Sequence, residues 1–164
     1  MGKHSFFFKN YVTHLILIVC AFAVAGGVFH YQMSNYALAS KQAELRTTVQ
    51  SLAEQTRLML GTDSEIIQQI YMISIGTVAK EDAITVYVTD PNGSIQVIAG
   101  PDGLATTAPD YRLSQEVVQQ VHRTGSYAEV GRLGMMDDNS SYTVGTGVTG
   151  PDNQLSAMVF VYTK

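Results

Sequence analysis

The order of apolar and polar residues predicts a membrane segment near the start of the chain. Residues 12–29 read VTHLILIVCAFAVAGGVF and contain no Asp, Glu, Lys or Arg. A helix satisfies its own peptide groups, so a single segment crosses a bilayer as a helix, and roughly 17–25 apolar residues are enough. Tyr11 and Tyr31 flank the run, where aromatic side chains favour the membrane interface. We expect a transmembrane helix over residues 12–32.

After residue 33 the apolar positions recur at helical spacing, with charged residues between them. The pattern predicts a juxtamembrane helix over residues 33–61 that ends at Gly61. Two interpretations of its apolar stripe are open: it packs on its own domain, or it meets the same helix of a second protomer as a dimer helix. The stripe consists of Leu38, Leu45, Val49, Leu52 and Met59.

A second helix is predicted directly after Gly61. Thr62 and Glu65 have the spacing of a capping box, in which the two side chains satisfy free backbone donors. Gly76 is expected to end the helix or to loosen its last turn. A broad buried face is predicted from Ile66, Ile67, Ile70, Tyr71, Ile73 and Ile75.

The period then changes to two, which is typical of strands. Residues 83–89 and 95–99 form a predicted hairpin around the turn Asp-Pro-Asn-Gly at 90–93, because Pro fixes φ and Asn-Gly tolerates positive φ. Residues 100–111 are predicted to be a loop. A short helix is expected between an N-cap at Ser114 and a C-terminal Gly125.

Three further strands are predicted over residues 126–133, 141–149 and 155–163, with a polar break at 134–140. In the second of these, Gly145 and Gly147 lie on the face opposite Tyr142, Val144, Thr146 and Val148. The third is apolar on both faces, as a central covered strand would be. The predicted class is α+β: an N-terminal transmembrane helix that continues into a long helix, then an antiparallel sheet of about five strands flanked by helices, in the domain of residues 62–164.

Charge predicts the orientation in the membrane. Of ten Lys and Arg residues, Lys3 and Lys9 precede the apolar run, whereas all fourteen Asp and Glu follow it. Basic residues remain on the cytoplasmic side of a span. We therefore expect residues 1–11 in the cytoplasm and residues 33–164 outside it, in a protein of the cell membrane. The acidic excess argues against nucleic acid as a partner, since nucleic-acid binding depends on clustered Lys and Arg.

A cleavable signal peptide is the main alternative to an anchor. The residues Ala-Val-Ala at 23–25 fit a cleavage site. The apolar run continues to Phe29, however, which favours an uncleaved anchor. Cys20, the only cysteine, lies in the run, so a disulfide within the chain is excluded.

Candidate chemistry is sparse. The four histidines form no spaced pair with another ligand type, and no phosphate-binding loop or nucleophile motif is present. We predict no catalytic residues and no cofactor in this chain. Asp137 and Asp138, followed by Asn139, are the best candidates for a metal site, because hard cations bind several oxygens. A solvated loop is the favoured explanation of the same residues.

The order of these elements resembles the extracytoplasmic Cache (PAS-like) sensor domain of bacterial membrane receptors, chiefly sensor histidine kinases. The resemblance covers the whole chain. Its most specific parts are ITVYVTDPNGSI, similar to the first hairpin of the family, and YTVGTGVTGPDNQLSAMVFVY, similar to its closing hairpin.

The resemblance implies the sensory input region of a transmembrane receptor, most often dimeric, that relays a ligand or envelope signal across the lipid bilayer in a two-component system. It also implies a small-molecule site on one face of the sheet, under the loop and the short helix. Arg112 offers a forked donor for a carboxylate, and Gly145 and Gly147 would leave space beside the sheet. The implied ligand-binding residues are Tyr87, Thr89, Tyr111, Arg112, Tyr127 and Tyr142.

The family pattern would continue after Lys164 with a second span and an output domain. The phospho-accepting His and the ATP-binding motifs of a kinase are absent from these residues. The leading interpretation is therefore the input half of a receptor whose kinase lies elsewhere in the full protein. The alternative is a stand-alone membrane-anchored interaction protein with a PAS-like extracellular domain.

Overall fold

The computed structural model describes residues 3–62, 64–108, 111–130 and 142–163, and leaves out the side chains of residues 3–7, 34, 35, 37–39 and 130. The chain divides into two compact units, Met1–Lys41 and Gln42–Lys164. The helices of the described residues are α1 (Lys3–Leu60), α2 (Glu65–Glu81) and α3 (Gln115–Thr124); the strands are β1 (Thr85–Thr89), β2 (Ile95–Ala99), β3 (Ala105–Thr107), β4 (Ser126–Val130), β5 (Tyr142–Thr149) and β6 (Leu155–Thr163).

The first unit is helical throughout its described residues, all of which belong to α1. Its segment Phe8–Met33 has 26 residues, a mean hydropathy of 2.3 and no buried positions. It is the one segment of the described chain that is long and apolar enough to cross a membrane. The predicted span of residues 12–32 lies inside it.

The second unit is built on one antiparallel sheet with the strand order β3-β2-β1-β6-β5-β4. The predicted α+β class is confirmed. The described sheet has six strands rather than about five, because β3 lies in the region predicted to be a loop. Its three residues pair with β2 from Ala99↔Ala105 to Val97↔Thr107. A strand this short has no readable period, so its partner strand decides its conformation.

The first hairpin has the predicted turn. The Asp90 carboxylate accepts hydrogen bonds from the backbone N–H of Asn92 at 2.9 Å and of Ser94 at 2.8 Å. Gly93 has φ +83°, which a residue with a Cβ rarely adopts. The short helix α3 also has its predicted ends, with the Ser114 hydroxyl accepting from Val117 N at 3.5 Å and Gly125 in the left-handed conformation.

One face of the sheet is covered by α1 and α2. The apolar stripe of α1 is buried there at Leu45, Val49 and Leu52, and Met59 packs partly buried against the same cluster. Of the two interpretations open for this stripe, packing on its own domain is the one that these three residues show. The Leu38 side chain lies outside the description.

Polar contacts also join α1 to α2. The hydroxyls of Thr56 and Tyr71 lie 2.6 Å apart in a buried position, and Thr56 also donates to Leu52 O at 2.8 Å. The Ser74 hydroxyl donates to Gln55 Oε1 at 2.9 Å. These bonds fix how the two helices meet, because apolar contacts alone are not directional.

The predicted ends of α2 are wrong. Its N-cap is Ser64, with no side-chain capping bond, so Thr62 and Glu65 do not form a capping box. Gly76 lies inside the helix, which continues to Glu81. A Cβ on Gly76 would lie 2.3 Å from Gly103 O. The glycine therefore lets the turn before β3 approach the helix, and it does not end it.

The predicted buried face of α2 is also wrong for most of its residues. Tyr71, Ile75 and Ala79, at four-residue steps, are buried against α1 and the sheet. The helix makes its tertiary contacts along this one edge, which leaves the other isoleucines outside the core. The exposed residues are Ile66, Ile67, Ile70 and Ile73.

Candidate functional site

The face of the sheet opposite α1 and α2 carries a second, smaller apolar cluster beneath α3. It is called here the α3-side cluster. Tyr127 and Phe160 meet edge to face in it, with ring centroids 6.1 Å apart and planes at 70°. Its buried members are Leu113, Val117, Val121, Tyr127, Met158 and Phe160, and Tyr87, Val118, Leu155 and Tyr162 pack against it.

The space expected beside Gly145 and Gly147 is filled by the protein itself. A Cβ on Gly145 would lie 2.3 Å from the Phe160 ring, and one on Gly147 would lie 2.6 Å from Leu155 Cδ1. On the α3 side of the sheet the two glycines therefore admit neighbouring side chains, and the expectation of open space is corrected for that side. Toward α1, Gly145 and Gly147 line small clefts of about 180 Å³ and 150 Å³.

The six implied ligand-binding residues do not converge on one site. Tyr87 and Tyr127 belong to the α3-side cluster, whereas Tyr142 packs against the cluster beneath α1 and α2. Thr89 is buried, and its hydroxyl donates to Asp90 O at 3.1 Å. Tyr111 and Arg112 are exposed. The strand pairing separates Tyr142 from Tyr87 and Tyr127, which the sequence alone did not reveal.

A polar cleft of about 500 Å³ lies between the turn of the first hairpin and α3. Arg112 is held at its edge by a bridge between its backbone and Ser94, and its guanidinium has no ion-pair partner among the described residues. His122 Nε2 lies 2.7 Å from Pro91 O and so connects α3 to the turn. The lining residues are Asp90, Pro91, Asn92, Arg112, Gln115, Val118, Gln119 and His122.

A second cleft, of about 300 Å³, lies between α3 and β4, and it is acidic. Glu116 and Glu129 both line it, and the Tyr127 hydroxyl donates to the Glu129 carboxylate. Burial, the bond to Glu129 and the charges of Glu129 and Glu116 hold the pKa of Tyr127 well above its ordinary value. Tyr127 therefore remains a neutral donor at physiological pH.

Thr143 is the buried polar residue of the described chain without a hydrogen-bond partner. Its side-chain oxygen is buried and makes no hydrogen bond. In the sheet it pairs with Glu129 on one side and with Tyr162 on the other. An unsatisfied buried hydroxyl costs roughly 1–3 kcal/mol.

Several residues of the two clefts and of the sheet beside them were not predicted. Glu116, Glu129, Thr143 and His122 have no local motif around them. The β4–β5 register that places Glu129 beside Thr143 pairs residues that are 12 or more positions apart in the sequence. The period-two pattern of each strand assigns each residue to a face, but it does not align one strand with another.

The metal candidates Asp137 and Asp138 lie outside the described residues. Among the residues that are described, no group of three or more His, Cys, Asp or Glu side chains could hold a metal ion.

Comparison with known proteins identifies the fold. No family model and no curated protein matches the sequence. Three solved structures are similar. The first is the domain of a protein named as a sensory box/GGDEF family member from Vibrio parahaemolyticus, with 12% identity and a TM-score of 0.58 over 76% of this chain and 54% of that one. The second is the extracellular domain of a protein named as the histidine kinase vpHK1S-Z8, with 14% identity and a TM-score of 0.56 over 75% of this chain and 50% of that one.

The third is a Cache chemosensory domain described for its recognition of carboxylic acids, with 12% identity and a TM-score of 0.50 over 79% of this chain and 96% of that one. This chain spans about half the length of the first two structures. At these identities the comparisons show the fold alone, and they confirm that it is the Cache/PAS-like fold of sensor domains.

Proposed function

We propose that this chain is the sensory input region of a transmembrane signal-transduction receptor. One observation carries the proposal: the single helix α1 contains both the apolar segment Phe8–Met33 and the residues Leu45, Val49 and Leu52 that form the core of a sensor-type fold. A helix that belongs to both parts can transmit a change in the domain to the membrane.

The proposed topology places residues 1–11 in the cytoplasm and residues 33–164 outside it. Lys3 and Lys9 support this orientation by the positive-inside rule. The acidic excess of the residues after the segment is compatible with it, since acidic residues contribute little to orientation.

The proposed output is a two-component histidine kinase that lies beyond these residues. The similarity to the extracellular domain of a histidine kinase supports this choice. The similarity to a sensory box/GGDEF family protein indicates that the same input fold is found with another output. The kinase proposal is therefore separate from the input role, and it can fail alone.

Signalling would follow from a shift between two arrangements of the domain. A ligand that binds one arrangement more tightly increases its population by its difference in affinity. The buried bond between Thr56 and Tyr71 couples α2 to α1, so a movement on the α2 side of the sheet would act on α1.

The ligand is proposed to be a small anion at the polar cleft of Arg112. The guanidinium there has no ion-pair partner among the described residues, and its forked donors match the two oxygens of a carboxylate. We expect carboxylates from acetate to citrate, tested one at a time by calorimetry on the full chain in detergent, to include at least one that binds.

Two matched variants test the site. Arg112→Gln should weaken carboxylate binding about tenfold or more. Arg123→Gln, which replaces an exposed arginine of α3 outside the cleft, should leave the binding unchanged. Binding that is equal in the two variants would contradict the Arg112 site but leave the receptor proposal standing.

The receptor proposal itself is tested by reading the native gene past the codon for Lys164. About 20 apolar residues followed by a signalling domain are expected. A stop codon at that position would overturn the proposal and favour the alternative, a membrane-anchored protein that binds a partner.

A further inference from the structure

The outer face of α2 is a row of exposed isoleucines. Ile66, Ile70 and Ile73 are 69%, 60% and 69% exposed, and Ile67 is 42% exposed. Soluble domains rarely leave several large apolar side chains of one helix in contact with water unless the patch binds something. The opposite edge of the helix is already used for the core of its own domain.

The spacing of this row is that of a helix-pairing seam. Steps of four, three and four residues lead from Ile66 through Ile70 and Ile73 to the exposed Thr77. These are the steps between the inner positions of paired helices, where side chains of one helix fit between those of the other. The row is called here the α2 seam.

The charges of α2 favour a second copy of the same chain over a different partner. Residues 66–79 contain no charged side chain. In a twofold contact each residue faces the same surface that it belongs to, so a charge in the seam would be placed near its own copy and repelled. The neutral residues Gln69 and Ser74 beside the seam avoid this repulsion.

The area of the seam sets the strength of the contact. A helix of 17 residues is about 25 Å long and presents a strip about 10 Å wide, or roughly 250 Å². Stable interfaces bury about 800 Å² on each partner. The seam alone is too small for a strong dimer in solution, and it suits two chains already held in one membrane, where the effective concentration is high.

We infer that α2 is the contact surface between two copies of this chain in the membrane, each seam packed against the other. The inference rests on the proposed membrane anchoring by Phe8–Met33. It also replaces the contact predicted at Leu45, Val49 and Leu52, whose side chains are buried within one protomer.

The test uses the full chain in native membranes, with Cys20→Ala to remove the only cysteine. Single variants Ile70→Cys and Ile73→Cys are compared with Gln68→Cys, an exposed residue of α2 away from the seam. On mild oxidation the two seam variants should give a band of twice the mass of 17.8 kDa, and the Gln68→Cys variant should give little of it.

A second variant tests whether the crosslink depends on the apolar packing of the seam. Ile66→Glu, combined with Ile70→Cys, should abolish the dimer band, because two carboxylates would meet across the twofold axis. Since residue 66 is exposed, the double variant should have the same melting temperature as the single Ile70→Cys variant.

Each other outcome has a defined meaning. If the chain is absent from the membrane fraction, the proposed anchoring is contradicted. If the chain is in the membrane fraction but gives no dimer band, or if Gln68→Cys gives an equal band, the α2 contact is overturned and the anchoring is not. A crosslink of another mass assigns the seam to a different protein. Protection of Ile70→Cys from an aqueous thiol reagent without any crosslink assigns it to lipid. Both of these overturn the inference.

Discussion

The hydroxyls of Thr56 and Tyr71 form the buried polar contact between α1 and α2. Thr56 also donates to Leu52 O, and either hydroxyl can be the donor in the bond that Thr56 shares with Tyr71. Burial raises the pKa of Tyr71 from 10.0 to about 12, although the bond to Thr56 partly opposes this. The folded state therefore holds Tyr71 neutral at pH values where the unfolded chain ionises it.

This difference predicts an alkaline loss of stability. The contribution is complete below pH 10, the ordinary pKa, and it is lost as the pH rises toward about 12. We expect Tyr71→Phe to flatten the fall in the free energy of unfolding over this range, and to cost about 1 kcal/mol at neutral pH for the lost bond. Urea titrations at a series of pH values measure both effects. Tyr111→Phe, at an exposed position, is the control, and an equal flattening there would refute the assignment to Tyr71.

Gly145 illustrates a contact between residues far apart in sequence. Its missing Cβ makes room for the ring of Phe160 on the neighbouring strand. The ring is fixed in turn by Tyr127, which meets it edge to face. A side chain at residue 145 would have to displace a ring that is fully buried.

We therefore expect Gly145→Ala to destabilise the domain by roughly 1–3 kcal/mol, as overpacking of a core does. Gly61→Ala is the matched control, because its Cβ would meet its nearest heavy atom at an ordinary 3.9 Å. Thermal unfolding of the two variants gives the comparison. Similar melting temperatures would show that the Phe160 ring moves without cost.

At the scale of elements, the two ends of α1 have different requirements. The segment Phe8–Met33 needs only continuous apolarity, and no position in it is buried by protein. The stripe further along needs a partner, and Leu45, Val49 and Leu52 find it in the sheet of their own domain. A heptad pattern fits either an intramolecular or an intermolecular partner, which is why the sequence left both open.

Truncation of this stripe should unfold the domain more readily. Leu52→Ala truncates a fully buried side chain. We expect the free energy of unfolding to fall by about 2–5 kcal/mol, because apolar burial is lost and a cavity is left behind. Leu58→Ala, at a side chain 67% exposed in the same helix, should change the free energy of unfolding by less than about 0.5 kcal/mol. Urea unfolding of both variants is the measurement. A small effect at residue 52 would mean that α1 is not part of the folded core.

Elements bounded by local chemistry were predictable. The turn at 90–93 and the ends of α3 depend on side chains within four residues of the backbone groups that they satisfy. Elements that depend on a distant partner were not. The three residues of β3 become a strand because β2 offers a pairing edge, and α2 passes through Gly76 because the backbone at Gly103 packs there.

For the whole molecule, the proposed topology makes the two sides of Phe8–Met33 chemically distinguishable. In a chain that carries Cys20→Ala, the Gln96→Cys variant, at an exposed position, should react with a membrane-impermeant maleimide in intact spheroplasts. A Ser5→Cys variant should react only after lysis, because Lys3 and Lys9 hold that end in the cytoplasm. Mass spectrometry of the labelled chain distinguishes the two. The reverse pattern would invert the topology, and equal labelling would contradict a span.

The sequence by itself determined the apolar segment, the order of helices and strands apart from β3, the turn at 90–93 and the limits of α3, since each follows from residues close together in the chain. It also allowed the Cache/PAS-like fold to be anticipated, because that fold is an order of such elements. Only the tertiary structure decided which edge of α2 is buried, where Phe160 lies, and which residues share a cleft. The physical reason is that a periodic pattern specifies the faces of an element, whereas register and packing partners depend on contacts between residues distant in sequence.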